Sequence, residues 1–115
     1  MRVVILMSTF NGERYVEEQL RSILVQLPPD GRVIVRDDGS TDQTVARIRD
    51  LGDSRVAIIL GENIGFARSF LTLMSMAPVD ADMYMLSDQD DVWLPVKIER
   101  AWDHLRGHAE QPALY

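Results

Sequence analysis

The chain has 115 residues, 46% of them apolar, enough for one domain with an ordinary core. With 12 Lys and Arg against 18 Asp and Glu, the formal charge of −6 has the wrong sign for neutralising phosphates, which excludes a nucleic-acid partner. Cysteine is absent, so disulfides, thiolate metal sites and a Cys nucleophile are excluded, and any metal must sit on oxygen or His.

The first apolar run, residues 3–7, is far shorter than the roughly 20 residues needed to cross a bilayer, and turn residues 8–12 end it. It reads as a buried strand and not as a signal peptide, which points to the cytoplasm. Residues 13–26 follow with Val16, Leu20, Ile23, Leu24 and Leu27 at the spacing of one helical face. A second strand is expected at 32–35. The helix after it, 44–51, has Val45, Ile48 and Leu51 on one side and Asp42 placed to cap its start. A third strand at 56–60 leads to a helix at 66–77, which carries Phe66, Phe70, Leu73, Met74 and Ala77 inward and stops at Pro78. The fourth strand, 83–86, precedes a helix that starts near Pro95 and runs to about 106, with Ile98, Ala101, Trp102 and Leu105 inward.

Strand and helix thus alternate four times, the pattern of a Rossmann-like α/β fold: a mostly parallel sheet, right-handed crossovers and helices on both faces. No internal repeat, low-complexity tract or linker interrupts it, and the whole chain, 1–115, reads as one unit. Residues 111–115 resemble the start of another strand, so the unit is expected to be truncated.

In such sheets ligands bind at the carboxyl ends of the strands. Three loops there are strongly polar: residues 8–13, 37–42 and 87–91. In the second, Gly39 and Asp42 fit turn and cap chemistry. The adjacent carboxylates of Asp37 and Asp38 should repel each other, and a cap needs only one, so one of them is expected to meet a ligand donor. In the first, Asn11 or Thr9 would cap the following helix. Composition leaves Phe10 open between core burial and stacking on a flat base, a contact worth about 1–3 kcal/mol in nucleic-acid systems. The last loop places Asp88, Asp90 and Asp91 within four residues after an apolar strand, an arrangement that repulsion would destabilise without a cation. Hard ions such as Mg²⁺ prefer carboxylate oxygens and are commonly completed by substrate phosphates.

His104 and His108 have a zinc-compatible spacing of four, but no third ligand accompanies them, and a surface role fits better. Met74, Met76, Met83 and Met85 read as core or strand packing.

Taken together, these stretches resemble the family-2 inverting glycosyltransferases of the GT-A fold. STFNGERYVEEQLRSIL is similar to that family's first loop and helix, VRDDGSTDQT to its second-strand signature, ENIGFARSF to its third loop, and LSDQDDVWLPVKIE to its DxD region. The SDQDDVW form is especially like bacterial rhamnosyltransferases. The resemblance implies a nucleotide-sugar site in which Thr9 and Phe10 flank a pyrimidine, Asp38 accepts its N3–H and Glu13 lies beside the nucleotide. Arg68 would neutralise diphosphate if it faces the crevice; a salt bridge to a helix neighbour is the alternative. Asp88 would lie near the ribose or diphosphate and Asp90 on Mg²⁺ or Mn²⁺, with Asp91 supporting the turn.

The implied donor is a UDP-sugar or dTDP-rhamnose, the acceptor a saccharide, and the setting cell-surface polysaccharide synthesis, with the full-length protein peripheral at the inner membrane face. The family takes its general base from a later segment, so no catalytic base is expected before Tyr115 and the segment should bind without turnover. A sheet edge or apolar face exposed by truncation could pair two copies into a homodimer. Two rival readings share the scaffold. A non-catalytic nucleotide-binding module would bind without metal dependence. A nucleotidyltransferase would show a Gly-rich, basic first loop, whereas STFNGE has one Gly and no Lys.

Overall fold

The computed structural model describes residues 2–88, 92–105 and 113–114, with Asp88, Ala113 and Leu114 described through their backbone. Strands β1 (Val3–Thr9), β2 (Arg32–Asp38), β3 (Val56–Gly61), β4 (Met83–Asp88) and β5 (Ala113–Leu114) alternate with helices α1 (Val16–Leu24), α2 (Thr44–Asp50), α3 (Phe66–Met76) and α4 (Lys97–Leu105). Every strand pairing is parallel, in the order β3-β2-β1-β4-β5. The chain first builds outward from β1 through β2 to β3, then returns to the other side of β1 for β4. The β1/β4 boundary is therefore the topological switch point, where such sheets open a crevice at their carboxyl edge. This is the expected Rossmann-like α/β fold.

All seven residues of β1 are buried, as its central position requires. Alternate side chains then go to opposite faces. Val3, Ile5 and Met7 join Val33, Val35, Met83 and Met85 against α1, α2 and α4, through Val16, Leu20, Ile23, Ile48, Ile98 and Ala101. Val4 and Leu6 meet α3 through Phe70 and Leu73. Both faces are covered, but unevenly: three described helices on one, α3 alone on the other. No helix among the described residues is long and apolar enough to cross a membrane.

Several boundaries differ from the sequence expectation for identifiable reasons. The strands run on through residues read as loop, to Thr9, Asp38, Gly61 and Asp88, because parallel pairing continues through Thr9↔Asp37, Asp38↔Gly61 and Ser8↔Asp88. Helix α1 starts at Val16, three residues late, after a turn in which the Gly12 carbonyl accepts the N–H groups of Tyr15 and Val16. Helix α4 starts at Lys97, since Val96 has a φ of 65°, outside the helical region. Phe66, Met74 and Met76, expected inside, are exposed, with Phe66 packing edge-on against Phe70. The rotation of α3 is set by Ser69, which turns inward beside Phe70 and Leu73 and leaves Met74 at the rim. Met83 and Met85 are buried as expected.

Candidate functional site

The buried polar residues among those described are Ser8, Thr9, Gln19, Arg36, Asp37, Asp38, Thr44, Ser69 and Ser87. All of them lie in the last turns of strand or the first turns of helix at the carboxyl edge of the sheet. Burying a polar group costs free energy unless it is hydrogen-bonded, so the nine are joined in networks. Among the described residues the opposite end of the sheet contributes no buried polar residue, although the Nε atom of the partly exposed Arg2 is buried there.

One network stitches the loop after β1 to the loop after β2. The Thr9 hydroxyl donates to Asp37 Oδ1 at 2.8 Å, and the same carboxylate accepts the Ser40 hydroxyl at 2.6 Å and, through Oδ2, the Ser40 N–H at 2.8 Å. Further out, the Asn11 N–H donates to Ser40 Oγ and Asn11 Oδ1 accepts the Thr41 N–H, each at 2.9 Å. The Gly12 N–H reaches Thr44 Oγ1 at 2.8 Å, the Glu13 N–H reaches Asp42 Oδ2 at 3.2 Å, and Glu13 Oε2 accepts the Gln43 N–H at 3.0 Å. Asp42 stands one residue before Gln43, which fills the N-cap position of α2 without a side-chain cap, and accepts the N–H of Thr44, the first helical residue, at 3.0 Å. Burial raises its carboxyl pKa, but the hydroxyl and N–H of Thr44 and the N–H of Glu13 outweigh that and hold it below the usual range. Neither Asn11 nor Thr9 caps α1, which has no side-chain cap. Both reach across to the second loop instead, and Asn11 does so from a φ of 48°, a conformation that Asn tolerates.

A second network lies on the α3 face. Arg36 Nη1 donates to Asp38 Oδ1 at 2.7 Å and to Ser69 Oγ at 3.0 Å, and its Nη2 donates to the Glu62 carbonyl at 3.0 Å. Asp38 also accepts the N–H groups of Ile64 at 2.9 Å and Gly65 at 3.1 Å, while Ser8 Oγ donates to Ser69 at 2.6 Å. Burial raises the Asp38 pKa, and the bonds from Ile64, Arg36 and Gly65 overcome it, so the net direction is down. The guanidinium lies so close over Gly61 that a Cβ there would stand 2.2 Å from Nη2. The repulsion expected between Asp37 and Asp38 does not arise as read from the sequence. Strand alternation sends one to Thr9 and Ser40 and the other to Arg36, and each carboxylate accepts three protein donors.

The acidic loop is bracketed by α1. Before it, Gln19 Nε2 donates to Ser87 Oγ, while Gln19 Oε1 is buried with no hydrogen-bond partner among the described residues. After it, the Trp93 N–H donates to Ser22 Oγ at 2.9 Å, and Gln26 accepts the Ile98 N–H and donates to the Leu94 carbonyl, both at 3.0 Å. The backbone of Asp88 pairs with Ser8 at the switch point. Asp90 and Asp91 lie outside the described residues, as does His108. Among the described residues no group of three or more His, Asp or Glu side chains could hold a metal. Carboxylate oxygens, the donors that this stretch supplies in sequence, are of the kind that Mg²⁺ or Mn²⁺ prefers.

Of the other residues read as site candidates, Phe10 stands 42% exposed just past β1, Glu13 is half-buried in the stitched loops, and Arg68 is exposed in the first turn of α3 without an ion pair to another described residue. Thr9 and Asp38 are buried in the two networks. The sequence reading missed Arg36, Ser69 and Gln19. Each occupies an inward position in an otherwise apolar pattern, Arg36 in register with Ile34, Ser69 beside Phe70, and Gln19 between Val16 and Ile23. That misplaced polarity was the available signal.

The sequence pattern of glycosyl transferase family 2 matches residues 4–112, nearly the whole chain. The chain belongs to glycosyl transferase family 2. Within the family it is similar to the dTDP-rhamnosyl transferase RfbG of Shigella flexneri, with 35% identity over 86% of this chain and 36% of that protein. It is also similar to the UDP-Glc:alpha-D-GlcNAc-diphosphoundecaprenol beta-1,3-glucosyltransferase WfgD of Escherichia coli, with 29% identity over 84% of this chain and 38% of the other. The family-2 chain thus spans little more than a third of these relatives. Its fold matches the crystal structure of S. aureus TarS 1-349 in complex with UDP-GlcNAc, with a TM-score of 0.81 and 24% identity over 94% of this chain and 32% of the other.

Proposed function

We propose that this chain is the donor-binding part of an inverting glycosyltransferase that moves a sugar from a nucleoside diphosphate to a saccharide acceptor in cell-surface polysaccharide synthesis. One observation carries the reading: the buried polar residues among those described lie at the carboxyl edge, around the β1/β4 switch point, and their hydrogen bonds tie the loops after β1 and β2 together in advance. A preformed polar wall beside an exposed aromatic ring is what an amphipathic nucleotide requires. Phe10 stacks on the base and Thr9 lies behind it. Asp38 retains about one of its four acceptor positions, on Oδ2, for the base N3–H. Glu13 borders the nucleotide and Arg68 offers its charge to the diphosphate.

Asp88 and Asp90 would hold the Mg²⁺ or Mn²⁺, which as a Lewis acid stabilises the charge that grows on the departing diphosphate. The remaining task of this half is orientation: rigid loops hold the donor for in-line attack by an acceptor hydroxyl. That hydroxyl needs a general base within hydrogen-bond reach, and no residue of this chain is assigned to it. The donors named by the relatives, a dTDP-rhamnose and a UDP-glucose, together with the UDP-GlcNAc held by TarS, favour a pyrimidine base.

Calorimetric titration with UDP, dTDP and GDP, each with Mn²⁺ and with a chelator, tests the proposal. The pyrimidine nucleotides should bind with Mn²⁺ and lose most affinity in chelator. Equal affinity in both conditions would remove the metal from the mechanism, and no binding by any nucleotide would remove the donor site.

A further inference from the structure

The Arg36 guanidinium joins three of the segments meeting at the α3 side of the carboxyl edge. It bonds Asp38 at the end of β2, the Glu62 carbonyl just past β3 and Ser69 in the first turn of α3, and Ser69 in turn accepts from Ser8 on β1. The residue is 6% exposed, and its ion pair with Asp38 is equally enclosed. A buried charged pair of this kind is weak as a source of stability, because desolvation cancels much of the attraction. Its geometry is nevertheless demanding. The planar fork delivers three bonds in fixed directions, and Gly61 supplies the space for it. A lysine in its place would keep the charge without the fork.

We infer that Arg36 is a positioning residue for base recognition, holding Asp38 so that its remaining acceptor position on Oδ2 faces the donor's pyrimidine N3–H. The inference rests on the donor-binding reading above and deepens it. Oδ1 is taken by Arg36 and the Ile64 N–H, while Oδ2 carries only the Gly65 N–H. The fork therefore draws one oxygen toward the protein and leaves the other for a ligand. Rotation of the carboxyl about its own axis, which the fork and the two loop N–H groups together oppose, would exchange these roles. Arg36 does not itself contact the nucleotide, so its removal should affect discrimination at N3 and leave metal and diphosphate binding in place.

Calorimetry with UDP and with N3-methyl-UDP, both in Mn²⁺, separates these effects. The parent protein should prefer UDP by about tenfold, the order expected for one charge-assisted hydrogen bond. In Arg36→Lys, UDP affinity should fall to that of N3-methyl-UDP, whose affinity should be unchanged. Ser69→Ala, which removes one acceptor from the fork and keeps the ion pair, should show the same loss in smaller measure and serves if Arg36→Lys does not fold. Equal losses for both ligands, or a preference for UDP that survives both substitutions, would overturn the inference. Failure of the parent to bind either ligand would instead overturn the donor-site reading, whereas a parent that binds both equally would leave that reading in place and overturn the role of Asp38 and with it that of Arg36.

Discussion

Asn11 Oδ1 accepts the N–H of Thr41 at 2.9 Å, a bond between residues 30 positions apart that joins the loop after β1 to the loop after β2. Asn11 makes it from a positive φ, so the site asks two things of one residue: a left-handed backbone and a side-chain acceptor. Asn11→Gly should keep the first and lose the second, at a cost of about 1 kcal/mol. Asn11→Ala should lose both and cost about 1–2 kcal/mol more, since Ala is strained in that conformation. Urea denaturation of the two variants measures the difference, and equal midpoints would show that backbone strain contributes nothing.

Asp42 and Asp90 should separate stability from ligand binding. Asp42→Ala removes the acceptor of the first N–H of α2 and of the Glu13 N–H, and should cost about 1–2 kcal/mol in denaturation while a folded variant keeps its metal-dependent nucleotide affinity. Asp90→Ala should abolish the metal-dependent part of binding and leave the melting temperature of the unliganded protein within a degree or so. Equal binding losses in both variants would contradict this division.

Phe10→Ala tests stacking. A ring that is 42% exposed still buries more than half its surface, so the variant should lose about 1–1.5 kcal/mol of stability through packing alone. Its nucleotide affinity should fall by about 1–3 kcal/mol if the ring lies on the base. A loss of stability without a loss of affinity would assign the ring to packing.

Gly61→Ala should destabilise the fold by about 1–3 kcal/mol, because a Cβ 2.2 Å from Arg36 Nη2 forces the guanidinium off its partners and leaves Asp38 buried beside a misplaced charge. Denaturation midpoints of this variant and of Gly52→Ala provide the comparison. Both glycines lack a side chain, but nothing lies within 4 Å of the Cβ position at Gly52, whose positive φ alone carries the cost.

Stability should also fall in acid with a defined sign. Hydrogen bonds from the Arg55 side chain and N–H lower the Asp53 pKa from 3.8 to about 2, against a smaller opposing effect of burial. A carboxyl depressed in the folded state contributes stability that is complete above its unfolded pKa and is lost as pH falls through the folded value. Asp38 and Asp42 shift in the same direction. Urea midpoints should therefore hold steady down to about pH 5 and drop between pH 4 and 2, and Asp53→Asn should flatten part of that drop. An identical pH profile for the variant would exclude Asp53 as a contributor. The pair matters beyond its own turn, since Arg55 also donates to the carbonyls of Leu24 and Leu27 at the end of α1.

The alternation of strands and helices was legible because each element here follows one hydrophobic period, and β1, Leu20, Ile23, Ile98 and Ala101 are buried where that period put them. The family resemblance was legible through residues 35–44 and 86–99, whose turn and acidic patterns are unusual in combination. Individual partners were not. Local rules assign Asn11 to the nearest helix start, whereas parallel pairing of β1 with β2 brings a competing set of N–H groups from 30 residues away. Arg36 escaped notice for the same reason: its partners Glu62 and Ser69 are far along the chain, and only the folded sheet brings them together.

The ladder from Thr9 to Gln43 has a kinetic meaning too. Its rungs join segments that meet only once two strands are zipped side by side, so no single rung can open far without its neighbours giving way. Amide protons at Asn11, Thr41 and Gln43 should exchange with solvent together, at the pace of the sheet's own opening and not at that of surface turns. A ligand clasped by that rim would slow them all alike.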